Sequence, residues 1–177
     1  MSYLDIVLYP DKILRAKAAE VKTFNEDLKV LTHNMMKTMY HAPGIGLAAP
    51  QINVSQRIFV LDVDYTREED DDGNVENKNF NPQIMINPKI ISHSGTSTYQ
   101  EGCLSLPGVF ENVDRPASVI LQFQDIHSKW QEVEADGLYA TCIQHELDHL
   151  DGIMFIDHLS QLKRNFHLKQ YKKKKKK

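Results

Sequence analysis

The chain has 177 residues, of which 41% are apolar, a size and composition typical of one globular domain with a full core. Its net charge of −3 divides into −12 over residues 1–162 and +9 over the last 15 residues, which indicates an anionic partner for the tail alone. The two cysteines exclude a disulfide-stapled module, the N-terminal residues predict no signal peptide, and no stretch of the sequence approaches the roughly 20 apolar residues of a membrane span.

The first predicted element is a helix from Asn25 to about Ala42. Thr23 and Glu26 have the spacing of a capping box, and Pro43 with the following glycine predicts its end. One apolar stripe runs along the predicted helix: Leu28, Leu31, Met35 and Met39.

The middle of the chain alternates between predicted strands and polar segments. Residues 44–51 (GIGLAAPQ) are too small and apolar for an ordinary solvated loop, and Arg57–Asp64 (RIFVLDVD) predicts a strand. The polar, acidic segment Thr66–Asn81 predicts a mobile surface loop. Further strands are predicted at Ile84–Asn87, Ser118–Gln124 and Gln131–Glu134.

A second helix is predicted from Asp136–Gly137 to about Asp151. At 100° per residue, one face carries Leu138, Thr141, Cys142, His145 and His149. The opposite face carries Ile143, Leu147 and Leu150. A helix with apolar groups on both sides is buried centrally, and buried imidazoles require polar partners.

The sequence His145-Glu146-Leu147-Asp148-His149 is the strongest chemical signal on this helix. Two histidines at i and i+4 lie on one helical face and reach the same ion. Glu146 lies about 100° round the helix, where it is placed to act as a base on water without binding the metal. The alternative is a surface helix with two histidines and an unconnected glutamate.

A catalytic metal requires three protein ligands and one open position, so a third ligand must come from elsewhere. The candidates are Cys103, Cys142, His127, His158 and nearby carboxylates. Cys103 stands in the tight segment Glu101–Gly108 (EGCLSLPG), although a free cysteine is usually a small core residue. Spacing alone leaves the choice between the two cysteines open.

Three segments, GIGLAAPQ, EGCLSLPG and QHELDHLDG (Gln144–Gly152), resemble in order and spacing the signature motifs of peptide deformylase. The likeness extends over residues 3–165. The resemblance implies an α+β fold, with antiparallel strands around a buried C-terminal helix that carries the His-Glu-x-x-His motif. It also implies removal of the formyl group from the formyl-methionine of new polypeptides.

The resemblance assigns Cys103, His145 and His149 as ligands of one divalent metal. Ferrous iron is the expected ion, with zinc, nickel or cobalt as substitutes. Glu146 would take a proton from water at the metal and pass it to the leaving amine. Gln51 and the backbone N–H of Leu104 would stabilise the oxyanion, whereas without the resemblance Gln51 is only a loop-capping amide.

The resemblance also places the substrate peptide along residues 44–46 and its methionine in an apolar pocket. The residues expected to bind substrate are Gly44, Ile45, Gly46, Tyr99, Glu101, Gly102, Arg115, Leu138, Thr141 and Cys142. Tyr99 is bulkier than the usual aliphatic residue. For Arg115 the alternative is a surface arginine beside a turn, and for the two glycines a simple turn after the helix.

Two other classes of protein share features of this sequence. A zinc peptidase uses the same helical motif but usually takes a third histidine or a glutamate, which the EGCLSLPG segment disfavours. A non-catalytic, ribosome-associated module with a structural metal would require four ligands. Cys142 is the available fourth ligand, and Glu146 would then have no role.

We predict a catalytic domain at residues 1–165 and a basic, lysine-rich tail at residues 166–177. Leu162, Phe166 and Leu168 predict at best one imperfect helical turn in this region. The lysines allow contact with the ribosome by releasing counterions from RNA. We expect nascent formyl-methionyl polypeptides as substrates, a cytoplasmic location, and neither membrane nor DNA as a partner.

Overall fold

The computed structural model describes residues 3–70 and 72–174. The helices in these ranges are α1 (Glu26–His41), α2 (Gly137–Leu150) and α3 (Gln161–Lys174). The strands are β1 (Gly46–Ala48), β2 (Ile58–Leu61), β3 (Thr66–Glu69), β4 (Val75–Lys78), β5 (Gln83–Ser94), β6 (Ser97–Cys103), β7 (Leu106–Arg115), β8 (Ser118–Gln124) and β9 (Trp130–Asp136).

A five-stranded antiparallel sheet in the order β1-β2-β5-β8-β9 forms the centre of the fold, and β3-β4 and β6-β7 are separate hairpins. Strand β2 is buried along its whole length. Its Phe59 and Leu61 pack in one cluster with Ile143 of α2, whereas Ile58 and Val60 belong to the cluster that includes α1. The predicted α+β fold with a buried metal-motif helix is therefore confirmed.

Helix α1 agrees with the sequence prediction except at its cap. The side chain of Asn25, not Thr23, accepts a hydrogen bond from the Leu28 N–H, at 3.1 Å. The helix ends at His41, and its C-cap Ala42 directly precedes Pro43, the residue that predicted the end. Three residues of the predicted stripe are buried: Leu28, Met35 and Met39.

Strand β2 is shorter than predicted because Asp62 leaves the ladder and closes a turn. One carboxylate oxygen of Asp62 accepts hydrogen bonds from the N–H groups of Asp64, at 3.0 Å, and Tyr65, at 3.1 Å. Strands β5 and β9 are longer than predicted. The prediction for β8 is correct at both ends.

The prediction of a mobile loop at Thr66–Asn81 is wrong. Most of this segment is the β3-β4 hairpin, with Thr66 opposite Lys78 and Glu69 opposite Val75. Nearly all of its side chains are exposed, so backbone pairing and surface ion pairs such as Lys78–Glu68 hold the hairpin. A hairpin without a buried face leaves no hydrophobic alternation in the sequence.

The prediction for the chain after the metal-motif helix is also wrong. Helix α2 is not the last helix, because α3 follows it over 14 residues instead of one imperfect turn. Tyr171 of α3 is only 7% exposed and packs in a cluster with Leu106 and Phe155. The predicted domain boundary after residue 165 falls inside α3, and residues 175–177 of the predicted tail lie outside the described part.

Of the helices that the structure describes, none is long and apolar enough to span a membrane.

Candidate active site

The end of β6 meets the middle of α2 at a group of three potential metal ligands. One ligand atom from each of Cys103, His145 and His149 lies within 4.8 Å of the others. Sγ of Cys103 is 3.2 Å from Nε2 of His149. The helical spacing of the two histidines brings them to one face, as predicted. The position of Cys103 depends on the β6-β7 hairpin, which the sequence did not predict.

A buried ionic chain orients His145. Its Nδ1 lies 2.8 Å from Glu101, which leaves Nε2 as the remaining ring nitrogen for a metal. Glu101 accepts two hydrogen bonds from the guanidinium of Arg115, at 2.6 and 3.0 Å. A third hydrogen bond, of 2.8 Å, runs from Arg115 to Asp148. Asp148 lies within the His-Glu-x-x-His motif, so this series of ion pairs begins and ends on α2.

The electrostatic environment favours a thiolate at Cys103. Burial alone would raise the pKa of this thiol, but the charges and hydrogen bonds of His149 and His145 outweigh burial and lower the pKa to about 5. One thiolate and two imidazoles form a donor set that suits divalent transition metals. The three residues therefore fit the metal that the sequence predicts.

Glu146 lies beside this group with a carboxylate oxygen that is available. Its Oε2 is buried and has no hydrogen-bond partner among residues 3–70 and 72–174. Burial raises the pKa of Glu146 to about 7, against the opposing charges of His145 and His149. A Cβ on Gly46 would lie 2.8 Å from Cδ of Glu146, so a glycine is required there for the carboxylate to take this position.

Gln51 directs its amide nitrogen towards the same group. Its Oε1 accepts a hydrogen bond of 2.8 Å from the Ala48 N–H, and this fixes the orientation of the amide. Its Nε2 lies 3.2 Å from Oγ of Ser105 and 3.5 Å from Sγ of Cys103. Gln51 is thus a donor beside the candidate metal site as well as a cap of its own turn.

A cavity of about 450 Å³ opens beside these residues. The residues of its lining that the sequence predicted are Gly44, Ile45, Gly46, Gln51, Tyr99, Glu101, Gly102, Cys103, Leu104, Leu138, Thr141, Cys142, His145 and Glu146. Residues that the sequence did not predict for the site also line the cavity, among them Pro43, Pro107 and Phe110. Phe110 is 60% exposed at this surface and lies on the unpredicted strand β7.

Several candidates lie outside the metal group or the cavity. Arg115 is buried, bonds carboxylates and is not among the residues that line the cavity, so it is not a surface arginine beside a turn. His158 bonds Asp148 at 2.7 Å, and His127 is exposed in the β8-β9 connection. Cys142 lines the cavity, and its thiol donates to the Ile45 carbonyl, at 3.5 Å.

The sequence matches the polypeptide deformylase family model over residues 3–165. A peptide deformylase of Hydrogenovibrio crunogenus is 46% identical over 173 residues, which cover 98% of this chain and 95% of the relative. A peptide deformylase of Rhizobium meliloti is 43% identical and is matched over 94% of its length by 98% of this chain.

Solved structures agree with this family. The crystal structure of a peptide deformylase from Legionella pneumophila superposes with a TM-score of 0.87 at 39% identity, covering 99% of this chain and 96% of that one. The crystal structure of a peptide deformylase from Synechococcus elongatus in complex with actinonin superposes with a TM-score of 0.82 at 39% identity. The match covers 94% of this chain and 86% of that one. The chain belongs to the peptide deformylase family.

Proposed function

We propose that this member of the peptide deformylase family removes the N-formyl group from formyl-methionyl polypeptides in the cavity beside Cys103, His145 and His149. One observation carries the assignment of the site. The three potential ligands converge next to Glu146, whose Oε2 has no hydrogen-bond partner among the described residues, at the wall of a cavity formed by the segments that resemble the family motifs.

We assign the metal to Sγ of Cys103 and the Nε2 atoms of His145 and His149, with ferrous iron as the proposed ion. Zinc, nickel and cobalt suit the same donors, because sites with nitrogen and sulfur ligands accept several divalent metals. The bound ion would act as a Lewis acid that activates water. The chain supplies the other functions of the site.

Glu146 is the proposed general base and acid. Its carboxylate takes a proton from water and later gives it to the leaving amine, and a pKa near 7 suits both transfers at neutral pH. Nε2 of Gln51 and the N–H of Leu104 are the proposed donors to the oxyanion that forms on the formyl oxygen. Fixed donors of this kind contribute about 3–4 kcal/mol each to transition-state stabilisation.

In the proposed site three residues would hold the metal and leave one position for water, whereas a structural metal would require a fourth protein ligand. Cys142, the available fourth ligand in that alternative, lies in the cavity wall and bonds a backbone carbonyl. The family match disfavours the zinc peptidase, as does a cysteine in the third ligand position.

We expect protein prepared without oxygen to release formate from a formyl-Met tripeptide, and chelation of the metal to abolish this activity. Added ferrous iron should restore turnover. Circular dichroism should show the same fold before and after chelation, because Ala140, Ile143 and Leu150 pack α2 into a hydrophobic core cluster. Unfolding on chelation would identify a structural metal, and absence of formate release with iron would contradict the proposed function.

We also propose that α3 and the lysines after it contact ribosomal RNA in the cytoplasm, where nascent chains emerge. Helix α3 is basic, and the described residues from Ser160 to Lys174 include no acidic side chain. One of its faces is anchored, since Lys163 and His167 bond Glu111 of β7 at 3.2 and 3.1 Å. Leu162 and Phe166 are exposed for a partner.

Replacing Lys172–Lys177 by glutamine should weaken ribosome binding without changing turnover of a short formyl peptide. Tyr171 must be kept, because it packs in the core and its hydroxyl donates to the Tyr9 carbonyl, at 3.3 Å. If six phosphates are neutralised, binding of the unmodified protein should fall with salt at a log–log slope of roughly −4 to −5. Sedimentation with purified ribosomes measures both, and equal binding by the two proteins at low salt would contradict the proposal.

A further inference from the structure

Tyr65, just before the β3-β4 hairpin, connects that hairpin to the wall of the cavity. Its hydroxyl donates a hydrogen bond of 3.1 Å to the carbonyl oxygen of Gly44, which lines the cavity. The N–H of Gly44 is bonded to the Met39 carbonyl of α1, at 2.9 Å. Gly44 is therefore held at its N–H by α1 and at its carbonyl by Tyr65.

The buried Asp62 fixes the turn that carries Tyr65. Besides the N–H groups of Asp64 and Tyr65, its carboxylate accepts hydrogen bonds from the Tyr40 hydroxyl, at 2.6 Å, and the Asn81 N–H, at 2.8 Å. Four donors satisfy a carboxylate that would be costly to bury without them. Since Tyr65 and Asn81 flank the hairpin, Asp62 joins both of its ends.

The same turn also binds the next residue of the cavity wall. The backbone N–H of Asp62 donates to the Ile45 carbonyl, at 2.9 Å. Two successive carbonyls of the wall, those of Gly44 and Ile45, thus accept hydrogen bonds from residues of one turn. The Tyr65 ring packs edge-on against Tyr40 at a centroid distance of 5.0 Å, so loss of the hydroxyl alone would leave the ring in place.

We propose that Tyr65 is a positioning residue for substrate binding, an inference that rests on the proposed deformylation in this cavity. By fixing the Gly44 carbonyl, Tyr65 sets the orientation of the Gly44–Ile45 peptide and hence of the wall against which the substrate lies. Gly46, beside Glu146, is held separately by its pairing with Leu61. Tyr65 therefore acts on substrate binding more than on the chemical step.

Tyr65→Phe should raise KM for a formyl-Met tripeptide by about two- to fivefold, because binding must then order a Gly44–Ile45 peptide that has lost one neutral hydrogen bond, and should leave kcat within about twofold. Binding of the deformylated tripeptide, measured by calorimetry on the metal-loaded protein, should weaken by a similar factor. A merely structural role would lower the melting temperature and leave KM unchanged.

The matched control is Tyr139→Phe, which removes a hydroxyl bonded to Gln83, at 2.5 Å, away from the cavity lining. KM for this variant should equal that of the unmodified protein. An unchanged KM in Tyr65→Phe, or equal increases in both variants, would overturn the inference. If the unmodified protein released no formate, the proposed function itself would fail, so the two failures are distinguishable.

Discussion

Glu146→Gln is expected to lower turnover of a formyl-Met tripeptide by at least about 10²–10⁴-fold while the protein keeps its metal. Glutamine has nearly the shape of glutamate and so fits beside Gly46, whose lack of a Cβ leaves room for this side chain. It has no carboxylate to accept a proton from water. The metal should remain because the potential ligand group consists of Cys103, His145 and His149.

The matched control for this substitution is Glu134→Gln. Glu134 lies exposed on β9, and the same chemical change there should leave both turnover and metal content unaltered. Formate release and metal analysis on the same protein samples measure the two quantities. Stoichiometric loss of metal from the Glu146 variant would show that Glu146 is a ligand and not the general base.

The sequence predicted best those elements in which local pattern and tertiary burial agree. Helix α1 shows an apolar stripe, and α2 carries apolar residues on both faces because it packs against the sheet. In α1 the buried side chains recur at helical spacing, whereas in α2 burial extends over both faces, and the observed bounds of both helices lie within about one residue of the predicted ones. Strand β8 was also predicted correctly, because its apolar residues Val119 and Leu121 are two positions apart and both face the core.

The elements that the sequence did not predict, such as β6 and α3, lack an apolar pattern that matches their burial. In β6 the side chains that face the cavity and the ligand group include Tyr99, Glu101 and Cys103. Polar and potential metal-binding side chains therefore stand where an ordinary core strand would carry apolar residues. In α3 one buried residue, Tyr171, gives no stripe, although lysine, leucine and glutamine favour helix and lysines near a helix C-terminus complement its dipole. That favourable composition was the signal available for α3.

In the candidate site, too, local sequence pattern predicted some residues, whereas others come together only in the folded protein. The helical spacing of His145 and His149 placed two potential ligands without any tertiary information, whereas the choice of Cys103 depended on resemblance, because β6 brings it from 42 residues earlier in the chain. Arg115 and Asp148 were not predicted as partners, since they meet only after the hairpin folds against α2. Sequence alone gave no indication that Ser105 lies beside Gln51.

Cys103→Ser should lose most of the bound metal and with it the activity, whereas Cys142→Ser should keep both. A serine hydroxyl does not ionise at neutral pH, so the variant would lose the thiolate that two histidines stabilise at Cys103. We expect metal affinity to fall by more than about 100-fold, because loss of a residue that only hydrogen-bonds a metal ligand already lowers affinity by up to that factor. Metal analysis after dialysis against a weak chelator measures this loss.

Cys142 differs from Cys103 in its surroundings and not in its chemistry. Burial raises the pKa of its thiol well above the usual value, so it remains neutral and bonds the Ile45 carbonyl. Serine keeps a donor of similar size there, so Cys142→Ser should bind metal fully and change only the affinity for substrate. If Cys142→Ser lost the metal and Cys103→Ser kept it, Cys142 would be the ligand, and the assignment of the site from the three motifs would be wrong.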